Sequence, residues 1–229
     1  EIKVQLHPKL CPNMNNDHSA LIDLYRKIRE TKGVKRAFIG SGIRYDLFDD
    51  SPYFDTVVKY HTSGRLKVAP EHTEDRVLKL MRKPSFDLFE RLNSRFNTLC
   101  RREGLKYQLI PYFISSHPGC EESDMRALAD KVLGKLHFNL EQVQDLTPTP
   151  MTLSSVMFYM GENPYTGEEV YVARSQEDKR RQKAYFFGGT LPEAEHRRGA
   201  KPAARPSNRA SAKPQKRGGV ARSGKKIWK

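Results

Sequence analysis

The groups in this chain best suited to chemistry stand where apolar runs break off. At Lys67-Val68-Ala69-Pro70-Glu71-His72-Thr73 a carboxylate and an imidazole follow a short apolar stretch. At Leu109-Ile110-Pro111-Tyr112-Phe113-Ile114-Ser115-Ser116-His117-Pro118-Gly119 the run is longer and ends on an imidazole and a Pro-Gly step. At Ser41-Gly42-Ile43-Arg44-Tyr45-Asp46 a hydroxyl, a guanidinium and a carboxylate lie within six residues. A carboxylate such as Glu71 accepts charge-assisted hydrogen bonds from hydroxyl or ammonium groups. Its alternative is a solvated acid that favours the positive end of a helix. Arg44 is an anion partner with a planar fork of donors, or else the surface partner of Asp46. His72 and His117 are each either ligand contacts or turn residues. Gly119 either lets a ligand approach the backbone or makes a plain turn.

Elements must hold these groups together. Apolar periodicity predicts helices over residues 19–30, 53–60 and 73–82, the last capped by Thr73 and closed by Pro84. Ser85 caps a longer helix with the stripe Phe86, Phe89, Leu92, Phe96 and Leu99, stopped by Gly104. A further stripe runs through Met125, Leu128, Ala129, Val132, Leu133 and Leu136. Between the helices, residues 34–40, 66–69, 107–114 and 140–146 read as strands, the third buried on both faces. Alternating strands and helices imply parallel pairing with right-handed crossovers. In such sheets ligands bind at the carboxyl ends of strands, where Ser41, Arg44, Glu71, His72, His117 and Gly119 fall. Four strands make about half of a (βα) barrel, whose partner strands are expected upstream of Glu1.

Beyond Pro150 the pattern changes. Residues 151–160 are a short apolar segment, 170–172 a brief strand, and Ser175 with Asp178 opens a helix over 176–187. From His196 onward there are twelve Lys and Arg and no acidic residue, against 41 and 27 in the whole 229-residue chain. The folded part is therefore nearly neutral, and the basic tail is expected to be disordered. It reads either as an RNA-binding arm that neutralises phosphates or as a solvated extension. The expected domains are 1–150, 151–195 and 196–229. Three scattered cysteines make no disulfide scaffold, which points to a cytoplasmic protein. No run of about 18 apolar residues exists to cross a membrane. The start, Glu1-Ile2-Lys3-Val4-Gln5-Leu6, has no apolar core of a signal peptide and no Met, so a piece of a longer chain is expected.

Taken with Gln142-Val143-Gln144-Asp145-Leu146-Thr147-Pro148-Thr149-Pro150, the three motifs above form four blocks in one order. They resemble the YgiQ-type radical S-adenosylmethionine proteins over roughly residues 1–187. The resemblance implies an α/β fold, the C-terminal half of a partial (βα)6 TIM-like barrel, followed by a small α+β region. It implies S-adenosylmethionine and a 4Fe–4S cluster as cofactors. Glu71, His72, Ser41, Arg44, His117 and Gly119 become cofactor-side positions, Glu71 on the ribose or amino group. The family holds its cluster on a CxxxCxxC loop, a spacing that Cys11, Cys100 and Cys120 do not supply. The implied partner is therefore the upstream half of the same barrel, without which the chain is expected to be inactive. Cys11, in Leu10-Cys11-Pro12-Asn13, is a candidate ligand of a second cluster or an inert thiol. Together with His7 and His18 it falls short of the four ligands usual for zinc. The reading from a different class is a nucleic-acid-binding accessory protein that uses the tail.

Overall fold

The computed structural model describes residues 13–47, 51–140 and 142–187. All of these belong to one compact unit, Glu1–Glu193; the second unit, Ala194–Lys229, lies outside the described residues, as does Cys11. The elements are α1 (Ser19–Glu30), a 3-10 turn (Tyr45–Leu47), α2 (Tyr53–Tyr60), β1 (Arg65–Glu71), α3 (Asp75–Met81), α4 (Phe86–Arg102), β2 (Gln108–Ser115), α5 (Glu122–Ala129), β3 (Val143–Asp145), α6 (Leu153–Met160) and α7 (Gln176–Ala184). A π-helical segment, Asp130–Lys135, extends α5.

The sheet is open and parallel, in the order β1-β2-β3. Its strands number three among the described residues, where the sequence led us to expect four. Residues 34–40 belong to no helix or strand and form no ladder. Ile39 donates to the His61 carbonyl at 2.9 Å, and Ile43 to that of Lys67 at 3.3 Å. The Val34 and Phe38 side chains that gave this segment its strand-like character face solvent, so little burial holds it against β1.

One face of the sheet carries the core. Leu66 and Val68 of β1, Leu109 and Phe113 of β2, and Val143 of β3 are buried with Val77, Leu78, Met125, Leu128 and the α4 stripe. That stripe, Phe86, Phe89, Leu92, Phe96 and Leu99, is buried throughout, and Ser85 caps it by accepting from the Asp87 amide. The other face, with Ala69, Ile110, Tyr112 and Ile114, is only half-buried. The strand alternates buried and half-buried residues and is not buried on both faces, as its aromatic run had led us to expect. Pro111 sits in β2 before the β3 ladder begins at Phe113, at a level where one edge of the strand has no strand partner.

Two local expectations are corrected, and the apolar segment after Pro150 is helical. The α3 cap is Glu74, not Thr73, and its amide donates to His72 Nδ1 at 3.0 Å. Residues 153–160 form a helix, with Thr152 accepting from the Ser155 amide and Gly161 ending it at φ 73°. Residues 170–172 form no strand; a single antiparallel bridge joins Glu162 to Glu169 nearby. The Ser175 cap on α7 is as expected, accepting from the Asp178 amide at 3.0 Å.

Candidate functional site: the carboxyl ends of β1 and β2

The register of β1 slips between Val68 and Glu71, at the Ala69-Pro70 step. The slip leaves Glu71 with φ 68°, in the left-handed region that non-glycine residues seldom adopt. Strain of this kind is kept only where surrounding structure enforces it, and it gathers at ligand sites. Here the Glu71 carboxylate is mostly buried and pairs with Lys83 Nζ at 3.1 Å. Lys83 follows Arg82, the left-handed C-cap of α3 at φ 56°.

Lys83 and Arg82 form one wall of a cleft of about 480 Å³; Arg44, Asp46 and Tyr45 form the other, with Ala69 of β1 between. Arg44 spans its neighbour Asp46 with Nε and Nη2, both at 3.0 Å from a carboxylate oxygen. The Tyr45 phenol is buried, and its ionisation is disfavoured first by that burial, then by the Asp46 and Glu71 charges. Arg44 therefore lines this cleft, while Glu71 reaches it through Lys83. Ser41 is exposed and three residues from Arg44.

His72 and His117 lie elsewhere, at 0 % and 2 % exposure. His72 Nδ1 accepts from the Glu74 amide, so the neutral ring carries its proton on Nε2, which faces Cys120 Sγ at 3.5 Å. Burial, then His117 and Arg76, hold the His72 pKa down to about 3. Burial, then the Asp124 charge, push the Cys120 thiol up to about 12. This pair is thus a neutral thiol beside a neutral imidazole. His117 Nδ1 lies 2.8 Å from the Pro118 carbonyl and Nε2 lies 2.8 Å from Ser154 Oγ. Both rings have both nitrogens engaged within the protein.

The loop that ends β2 is held from several sides. Gln182 of α7 accepts from the Ser116 amide at 2.7 Å and donates to the Cys120 carbonyl at 2.8 Å. Gly119 donates to the Tyr171 carbonyl at 2.7 Å, and its own carbonyl accepts from Arg76 Nη1 at 2.7 Å. Arg76 is also paired with Asp124. Gly119 has φ 83°, and a Cβ there would collide with Leu80. The left-handed backbone thus favours glycine at this position, and a larger residue would also have to displace the Leu80 side chain.

Lys83, Ser154 and Gln182 were not singled out by sequence. A Lys between a helix end and Pro84 was a usable signal for the first. Nothing in the charged run Gln176-Glu177-Asp178-Lys179-Arg180-Arg181-Gln182 marks Gln182 as the buried member. Among the described residues no group of three or more His, Cys, Asp or Glu is arranged to hold a metal ion. No described helix is long and apolar enough to cross a membrane.

Residues 141–187 match the family model described as a domain of unknown function, DUF3362. That stretch holds β3, α6 and α7, the elements that fasten the β2 loop. The chain is also similar to proteins named UPF0313. It is 50% identical to the one from Bacteroides thetaiotaomicron over 80% of this chain and 31% of that protein. It is 50% identical to the Porphyromonas gingivalis protein over 83% and 32%, and 48% identical to the Methanocella arvoryzae protein over 80% and 30%. The chain is therefore homologous to UPF0313 proteins and spans about a third of the length of these curated relatives.

Proposed function

We propose that this chain supplies part of the cofactor-binding rim of a radical S-adenosylmethionine protein with a partial (βα) barrel. What supports this reading is the cleft at the carboxyl end of β1, where a strained Glu71 meets Lys83 across from Arg44 and Asp46. S-adenosylmethionine carries a carboxylate, an ammonium, a sulfonium and ribose hydroxyls, and the cleft offers charges of both signs to match. In this reading Glu71 accepts from the ribose or amino group, Arg44 and Lys83 face the carboxylate, and Ser41 lies at the margin. His72, His117 and Gly119 frame the strand ends. When bound, the cofactor supplies radical chemistry with a reduced cluster. The residues described here do not fit a 4Fe–4S cluster, because no ligand group is assembled among them. Its ligands, in this reading, belong to the upstream half of the barrel, consistent with the greater length of the relatives.

Glu71→Ala in the full-length protein tests the reading by titration calorimetry. Loss of a charge-assisted hydrogen bond costs about 1.5–3 kcal/mol, so S-adenosylmethionine should bind roughly ten- to a hundredfold more weakly. Iron–sulfur absorbance should be retained. Unchanged affinity would leave Glu71 only its pairing with Lys83.

A second reading is favoured by the charge segregation: the twelve tail cations are the chain's main excess charge, and they fit a phosphate backbone. The tail lies outside the described residues.

A further inference from the structure

Ser154 plays no part in the cleft, yet its hydroxyl is paired with an imidazole whose own proton is fixed. The Pro118 carbonyl can only accept, so the 2.8 Å contact puts the ring proton on His117 Nδ1. Nε2 is then the acceptor, and Ser154 Oγ donates to it at 2.8 Å. Hydroxyl, base and a group that orients the base are the three parts of an activated nucleophile. The Cys120–His72 pair has the opposite polarity, with the ring N–H facing a fully buried thiol. Polarity and access therefore separate the two pairs.

Position supports the same chemistry. Ser154 is the second residue of α6, after the Thr152 cap. The amides of Leu153 and Ser154 lie in the first turn, where no preceding helical carbonyl is available to them. Such amides and the positive helix end stabilise an oxyanion. Ser154 is half-buried, while Met151, Thr152 and Val156 around it are exposed, so this end of α6 faces solvent. The base beneath it is shielded at 2 % exposure.

We infer that Ser154 and His117 form a nucleophile and general base that accept acyl groups from carboxylic esters. Ser154 Oγ attacks the ester carbonyl carbon as its proton passes to His117 Nε2. The ester C–O bond breaks, and the alkoxide leaves as an alcohol with that proton. Water then attacks the acyl-serine as its proton passes to Nε2; the bond between Ser154 Oγ and the acyl carbon breaks, Oγ recovers that proton, and a carboxylic acid is released. No oxidant or reductant is needed. Burial holds His117 down to about 4, so the resting ring is neutral at physiological pH and the lone pair of Nε2 faces the Ser154 hydroxyl.

The test is treatment of the 229-residue chain with a fluorophosphonate probe, peptide mapping by mass spectrometry, and assay of p-nitrophenyl acetate hydrolysis. An adduct on Ser154 is expected from the native chain and not from the denatured one. Ser154→Ala should abolish both signals, and His117→Gln should lower both about a hundredfold, the usual range for loss of a general base. The labelling rate should be flat from neutral pH down to about 5 and fall near 4. If His117→Gln does not fold, Ser154→Ala at its half-buried position still decides. No adduct on native Ser154, or esterase activity undiminished in Ser154→Ala, overturns the inference.

Discussion

His72 and His117 show how strongly environment decides what a residue does. At the sequence level both are imidazoles beside a strand end, equally suited to meeting a ligand. Folded, each is buried and held neutral, His72 down to about 3 and His117 down to about 4, in both cases chiefly by burial. In the unfolded chain both take up protons near the ordinary 6.5. Below that value the unfolded state binds more protons than the folded one, so stability must fall as pH falls from about 6.5 toward 4. Thermal unfolding followed between pH 7.5 and 4.5 should show this decline. His72→Gln should flatten it while lowering stability at pH 7.5, because the Glu74 amide and Cys120 lose their partner. An identical pH slope in this variant would mean that His72 contributes nothing to the acid limb.

At the scale of elements, α7 is the least expected contributor. Six of its nine residues are charged, and its single buried residue, Gln182, ties it to the loop that ends β2. Gln182 joins the Ser116 amide to the Cys120 carbonyl, while the neighbouring Lys183 reaches Asp145 at 2.8 Å and Asp145 accepts from Ser115. The helix is thus fastened to the ends of β2 and β3 by polar contacts where an apolar stripe would be usual. Gln182→Leu would leave two buried backbone groups without partners, at about 1–3 kcal/mol each. A loss of roughly 2–5 kcal/mol in urea unfolding is expected. A loss below 1 kcal/mol would show that solvent reaches the Ser116–Cys120 loop and replaces the side chain.

For the whole molecule, charge is divided along the chain: twelve cations and no acid after residue 195, near neutrality before it. Removing residues 196–229 should leave thermal unfolding nearly unchanged, since that stretch carries no apolar stripe to bury, and should abolish any salt-sensitive RNA retention the chain shows. Retention with a steep salt slope by the truncated chain would place the binding on the folded surface. That charge division was legible from sequence, as were helices α1, α2 and α4, the Ser85 and Ser175 caps and the strands β1 and β2. Each rests on local periodicity or a cap within a few residues, which sequence records directly. The fate of residues 34–40 was not legible, because strand pairing depends on a partner and on burial that a local pattern does not contain. Nor was the division of the strand-end residues into an open cleft with Arg44 and Lys83 and a sealed interior with His72, His117 and Cys120. Side-chain burial, tautomer and partner are set by α3, α6 and α7 arriving from up to 66 positions away in the chain. Only the packed tertiary structure brings such contacts together.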